Sequence, residues 1–244
     1  MKKYFLTAAA LLLLSPLTAS ADLVATGDMK VVASTPTQYV DFDGQSSIGS
    51  LQYLNYYADY DATFGAMTLK PAYTTLTFDS GEVFCVENTD MYTEFGKGAF
   101  TTYDFYTSDA LNSWEKDSRA IVTWIANWAT TTTSYDNYTT DQIKAIGQVA
   151  IWDIVISSAA FSGGYYSAAQ TLINTIYAGA TNKDAFVNDW LLAVSPSGGT
   201  LGDVKNYQNF LVKATATPVP EPGTMLLFGT GLAGLAAVSR RRRS

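Results

Sequence analysis

The sequence has no histidine and only one cysteine, Cys85, in 244 residues. Without imidazole there is no Ser-His-Asp or Cys-His nucleophile pair, no imidazole base near neutral pH and no His-ligated zinc. One thiol makes neither an internal disulfide nor a thiolate metal cluster. Clustered acidic spacing of the EF-hand type is also missing, and so is any internal repeat. What is present is 48% hydrophobic and 14% aromatic content. That supports a sizeable packed core in one domain with appendages, and it excludes a disordered chain.

The formal net charge of -7 hides an uneven distribution. Lys2, Lys3 and Arg240 to Arg243 hold six of the fifteen basic residues. Residues 22–219 keep the other nine against 21 acidic residues, since only Glu221 lies outside, so the body carries -12. Such a body repels nucleic acid and anionic membrane, and no nucleic-acid partner is expected.

Both ends have the form of addresses. Residues 1–21 join Lys2-Lys3, an apolar run over 6–14, Ser15-Pro16 and the small-residue exit Ala19-Ser20-Ala21. This is the layout of a secretory signal peptide, which predicts a mature chain beginning near Asp22. An exported thiol is exposed to oxidation unless it is buried or chemically committed. At the other end, a proline-rich spacer over 216–223 precedes an apolar stretch over 224–238 and the four arginines. That stretch has 15 residues, with Gly229, Gly231 and Gly234 among them, against the roughly 20 that a stable span needs. A marginal span with cytoplasmic arginines suits a segment held in the inner membrane transiently, until it is cut.

The order Pro220-Glu221-Pro222, Gly-rich apolar helix, and Arg240-Arg241-Arg242-Arg243 resembles the PEP-CTERM sorting signal, over residues 220–244. The resemblance implies recognition by the membrane peptidase exosortase and removal of the tail. It also implies delivery to the surface or extracellular matrix of a Gram-negative cell, often alongside exopolysaccharide.

Residues 22–215 are expected to form a single globular body. Up to about residue 107 the chain alternates in the manner of strands, at 68–70, 73–78, 81–86 and 100–106. From Ser108 the period becomes helical, through Leu111, Trp114, Ile121, Trp124, Ile125 and Trp128, with Ser108 or Asp109 as cap. A second helix is expected from Thr140 or Asp141 to about Ser157, and two more over 166–177 and 183–194, with a return strand through Phe210-Leu211-Val212. The predicted class is α+β, with an antiparallel β-rich N-terminal half and a helical second half. Asp59 and Asp61 beside Tyr56, Tyr57 and Tyr60 suggest a solvated turn more than a glycosidase pair. Asn137-Tyr138-Thr139 is read as a polar loop.

Two segments stand out chemically: Phe84-Cys85-Val86-Glu87, and Gly147-Gln148-Val149-Ala150-Ile151-Trp152. Gln148, Ile151, Trp152 and Val155 share one helix face, which would turn Gln148 toward the sheet bearing Cys85. Together the two segments resemble the thioester domains of bacterial surface proteins. The resemblance implies a bond between the Cys85 thiol and the Gln148 side-chain carbonyl, formed with loss of ammonia. It implies an adhesin that acylates an amine or hydroxyl on a surface or matrix polymer or protein, once per molecule, with no cofactor and no catalytic turnover. Gly147 departs from the family's usual pattern and would weaken the helix where placement matters. The competing expectation is a non-covalent structural or carbohydrate-binding matrix component with Cys85 inert.

Overall fold

The computed structural model describes residues 21–33, 39–43, 54–57, 60–86, 100–113, 118–155, 160–161, 165–195, 209–219 and 229–232. Nine strands and three α-helices are defined among them: β1 Leu23–Ala33, β2 Tyr39–Asp43, β3 Leu54–Tyr57, β4 Tyr60–Leu69, β5 Tyr73–Cys85, β6 Thr101–Thr107, α1 Ser118–Thr131, α2 Thr140–Val155, β7 Ala160–Phe161, α3 Tyr166–Thr171, β8 Trp190–Val194 and β9 Phe210–Pro218. Six strands close an antiparallel barrel in the order β1-β4-β5-β9-β8-β6, and β3-β2-β7 make a small separate sheet. Closure is thinnest between β4 and β5, which pair at Tyr60–Val83 and Asp61–Glu82.

Aromatic side chains fill the lumen. Phe64 on β4 and Phe78 on β5 stack with ring centroids 3.7 Å apart, and Phe105 on β6 meets Phe78 edge-on at 5.7 Å. Strands β5 and β6 are not neighbours in the barrel, so Phe78 and Phe105 touch across its interior. Tyr103 on β6 and Phe210 on β9 do the same at 6.5 Å. The opposite face of β5, β8 and β9 is buried as well: Phe84 meets Trp190 edge-on at 5.9 Å, and Leu192 and Leu211 are inaccessible to solvent. Helix α2 supplies part of that cover. It is buried nearly all round, from Ile143 to Val155, as expected of a helix that is apolar on every side.

The class is α+β, but the expected division into a strand half and a helix half does not hold. Strand β7 falls between α2 and α3, strands β8 and β9 follow the helices, and the barrel draws on both halves of the chain. The helix expected over 183–194 is a turn region followed by β8. Trp190, Leu191, Leu192 and Ala193 form a continuous apolar run, which periodicity does not assign to helix or strand. Pairing with β6 on one side and β9 on the other decides it.

The helix expected from Ser108 is a 3-10 turn over Ser108–Ser113, and α1 starts only at Ser118. Asp109 is drawn out of a capping role into an ion pair with Arg119 at 2.5 Å. The cap of α2 is Thr139, one residue earlier than expected. Its Oγ1 accepts from the Gln142 N–H at 3.3 Å, while Gln142 Oε1 accepts from the Thr139 N–H at 2.9 Å, a reciprocal capping box. The return strand through Phe210, Leu211 and Val212 is present as β9. Asp61 stands on β4 opposite Glu82 and is not in a turn. Asp59, Trp114 and residues 1–20 lie outside the described residues.

Candidate functional site

Cys85 is the last residue of β5, and the ladder explains why its main chain needs a partner. Val86 donates its N–H to the Asn209 carbonyl at 3.0 Å, on the β9 side. In an antiparallel strand the preceding residue turns its N–H and C=O to the other edge, here toward β4. Strand β4 starts at Tyr60, which pairs with Val83, so Cys85 lies beyond its end. An unpaired peptide group buried there would cost about 1–3 kcal/mol per polar atom.

Gln148 supplies the missing partner. The Cys85 N–H donates to Gln148 Oε1 at 2.8 Å, and Gln148 Nε2 donates to the Cys85 carbonyl at 2.8 Å. The side-chain amide thus acts as a one-residue strand added to the β5 edge. Both residues are shut off from water, Cys85 at 1% exposure and Gln148 at 0%. The structure therefore brings the two sequence-selected residues together across 63 positions of chain, on the helix face shared by Ile151, Trp152 and Val155, all buried.

The supports of this contact were only partly visible in the sequence. Lys144, one turn before Gln148 on α2, forms an ion pair with Glu82, three residues before Cys85 on β5. This clamps the same two elements in parallel with the amide pairing. Gly147 is required where it stands: a Cβ there would lie 2.5 Å from the Ala129 Cβ and 3.7 Å from the Phe84 ring. The residue that seemed to weaken α2 instead lets α1 approach it closely, fixing the depth at which Gln148 enters. Neither pairing carries a motif. The i, i+4 spacing of Lys144 and Gln148 was the single available signal for the first.

A second region lies at the far end of β5. Asp22, Tyr73, Thr107, Ser108, Asn188 and Pro218 line a cavity of about 420 Å³. Burial, with the Asp22 and Asp109 charges behind it, raises the Tyr73 hydroxyl above its ordinary value. Asp22 and Pro218, where β1 begins and β9 ends, thus share one mouth of the barrel. Phe210 faces Cys85 and Pro218 faces Tyr73 along β9. Eight residues at about 3.3 Å each put that mouth roughly 26 Å from Cys85.

Residues 218–243 match the PEP-CTERM protein-sorting motif. The chain therefore carries this sorting signal, which implies processing by exosortase and export to the surface of a Gram-negative cell. The motif begins on the last residue of β9, and Val219 still donates its N–H to the Ala72 carbonyl at 2.7 Å, so the signal starts where the barrel stops. Pro220, Glu221, Pro222 and Arg240 to Arg243 lie outside the described residues. Among the described residues no helix is long and apolar enough to cross a membrane. No curated protein and no solved structure matches the chain. The comparisons give the body, residues 22–215, no family.

Proposed function

We propose that this exported protein is a surface adhesin that attaches covalently through an internal thioester between Cys85 and Gln148. The observation that carries the reading is the two-point pairing of the Gln148 amide with the Cys85 main chain, inside a site closed to water. Proximity of this kind is the condition under which an inert amide becomes reactive. The Cys85 N–H at Oε1 stands where negative charge gathers on the tetrahedral intermediate.

In the step, Sγ bonds to Cδ and the Cδ–Nε2 bond breaks. The thiol proton goes to the leaving nitrogen, which departs as ammonia. A target amine or hydroxyl on a surface or matrix polymer or protein then attacks Cδ. The C–S bond breaks, the attacking group's proton passes to sulfur, and Gln148 stays joined to the target. The thiol is regenerated but the amide is not, so the protein captures once and is no enzyme. The tail spans the inner membrane transiently before exosortase removes it.

Intact mass spectrometry of the purified body tests this. The expected mass is one ammonia below the sequence mass, absent in Cys85→Ala, and methylamine should add to the wild type. A full sequence mass in freshly isolated protein, with Cys85 alkylated once unfolded, would sink the thioester.

The pairing also favours a second reading. Among the described residues the Gln148 amide bonds to the Cys85 main chain, and while that amide is intact it completes the β5 edge with no part for the sulfur. The protein would then be a non-covalent component of the surface matrix. Unchanged matrix retention in Cys85→Ala distinguishes this reading from the first.

A further inference from the structure

A surface away from Cys85 has the composition of a ligand platform. Four aromatic side chains run in ring contact from α1 across the α1–α2 connection to the start of α3. Trp128 meets Tyr135 at 5.3 Å, Tyr135 stacks on Tyr138 at 5.9 Å and 22°, and Tyr138 meets Tyr165 edge-on at 6.1 Å. All four are half-buried. Tyr135 and Tyr138 pair as the flanks of a two-residue turn, with the Tyr138 N–H donating to the Tyr135 carbonyl at 3.0 Å. The turn lifts Asp136 and Asn137, both exposed, over a depression of about 530 Å³ that they line with Tyr138.

The turn is strained at its tip. Asp136 has φ of 47°, among the described residues the one non-glycine position with positive φ. Asn137 is not at positive φ, so the turn has the sign pattern of the type that favours glycine at its first position, although Asp tolerates that region better than most residues. A carboxylate is held there instead, and no side-chain hydrogen bond or ion pair engages it or Asn137 among the described residues. Strain of this kind collects where a side chain has work outside the fold.

We propose that this platform binds a neutral saccharide, a sugar ring lying against Tyr138, which Tyr135 backs by stacking, with its hydroxyls bonded to Asp136 and Asn137. The aromatic rings offer flat apolar area beside polar groups, the amphipathic character a pyranose shares. Asn137 both donates and accepts, and Asp136 accepts, which suits hydroxyls. The body charge of -12 and the absence of any basic residue among these side chains exclude polyanions. The assignment is independent of the Cys85–Gln148 reading.

Affinity electrophoresis of the tail-less body tests it, in gels cast with dextran, with hydroxyethyl cellulose and with alginate as the anionic control. Retardation is expected with at least one neutral glucan and not with alginate, and equally in Cys85→Ala, so loss of the thioester leaves this result untouched. Asn137→Ala and Asp136→Gly should each weaken the retardation roughly tenfold, the equivalent of one hydrogen bond to a polar or charged group. Asp136→Gly should also keep or raise the melting temperature, because glycine relieves the positive φ. A purely structural turn would show that stability gain with no change in retardation. The assignment is overturned by no retardation of wild type in either neutral gel, by equal retardation in alginate, or by retardation that survives both variants.

Discussion

Gln148 and Cys85 interact through main chain as much as through side chain, and this separates two effects that mutation would otherwise merge. Relative to wild type with its amide intact, Cys85→Ala removes the sulfur but leaves both amide hydrogen bonds, so it should cost only about 1 kcal/mol, the effect of a small buried truncation. Gln148→Ala orphans the Cys85 N–H and C=O in a dry site and opens a cavity, which predicts a loss of roughly 3–5 kcal/mol. Urea denaturation of the two variants checks the ordering. Equal costs would show that the amide pairing is not what holds the β5 edge. Asp153, five residues further along α2, responds to pH. Burial raises its carboxyl above the ordinary value, partly offset by hydrogen bonds from Gln170, at 2.5 Å, and Tyr166. A raised acid favours the protonated native state, so its contribution is fully present below the unfolded value near 3.8 and is lost as pH rises through the folded one. Asp153→Asn should therefore melt higher than wild type at neutral pH, and the gain should vanish in thermal scans below about pH 4.

At the scale of elements, the contact between α1 and α2 sets the geometry of the site. Gly147 admits the Ala129 methyl, and a methyl at position 147 has no room unless the helices part. Gly147→Ala gains helix propensity of about 1 kcal/mol and loses more to overpacking, about 1–3 kcal/mol. The expected outcome is a net destabilisation with α2 displaced from β5. In thioester terms that displacement predicts a larger fraction of full-mass protein in the mass spectrum of Gly147→Ala than of wild type. The sequence marked the helix and the face of Gln148 correctly, because an apolar period of 3.6 is a local property. It misjudged Gly147, because the reason for that glycine is a side chain on another helix. The expected helix over 183–194 failed for the same kind of reason: the hydrogen-bond partners of β8 are the distant strands β6 and β9.

For the molecule as a whole, β9 joins folding to sorting. It closes the barrel between β5 and β8 and ends on the first residue of the sorting motif. A chain ending after Val219 keeps every β9 pairing and the Val219–Ala72 bond, and it should fold and melt cooperatively. A chain ending after Asn209 lacks the closing strand, bares the edges of β5 and β8, and should aggregate or lose its cooperative melt in calorimetry. A cooperative melt in the shorter chain would show that closure by β9 is dispensable. The start of β1 and the end of β9 share one mouth, while Cys85 lies roughly 26 Å away along β9.

The sequence by itself determined the sorting address, the acidic body, the absence of imidazole chemistry and the pairing of one cysteine with one glutamine as the place to look. The first three are matters of composition, order or local period, the fourth is what the resemblance to thioester domains implied, and each is readable without contacts. Tertiary structure decided that strands from both halves close into one barrel and that Thr139 caps α2. It decided that Gly147 is a packing requirement, and that Gln148 completes an unfinished sheet edge. The physical reason is common to all four: a hydrogen bond or a clash needs a partner, and here the partner is set by folding.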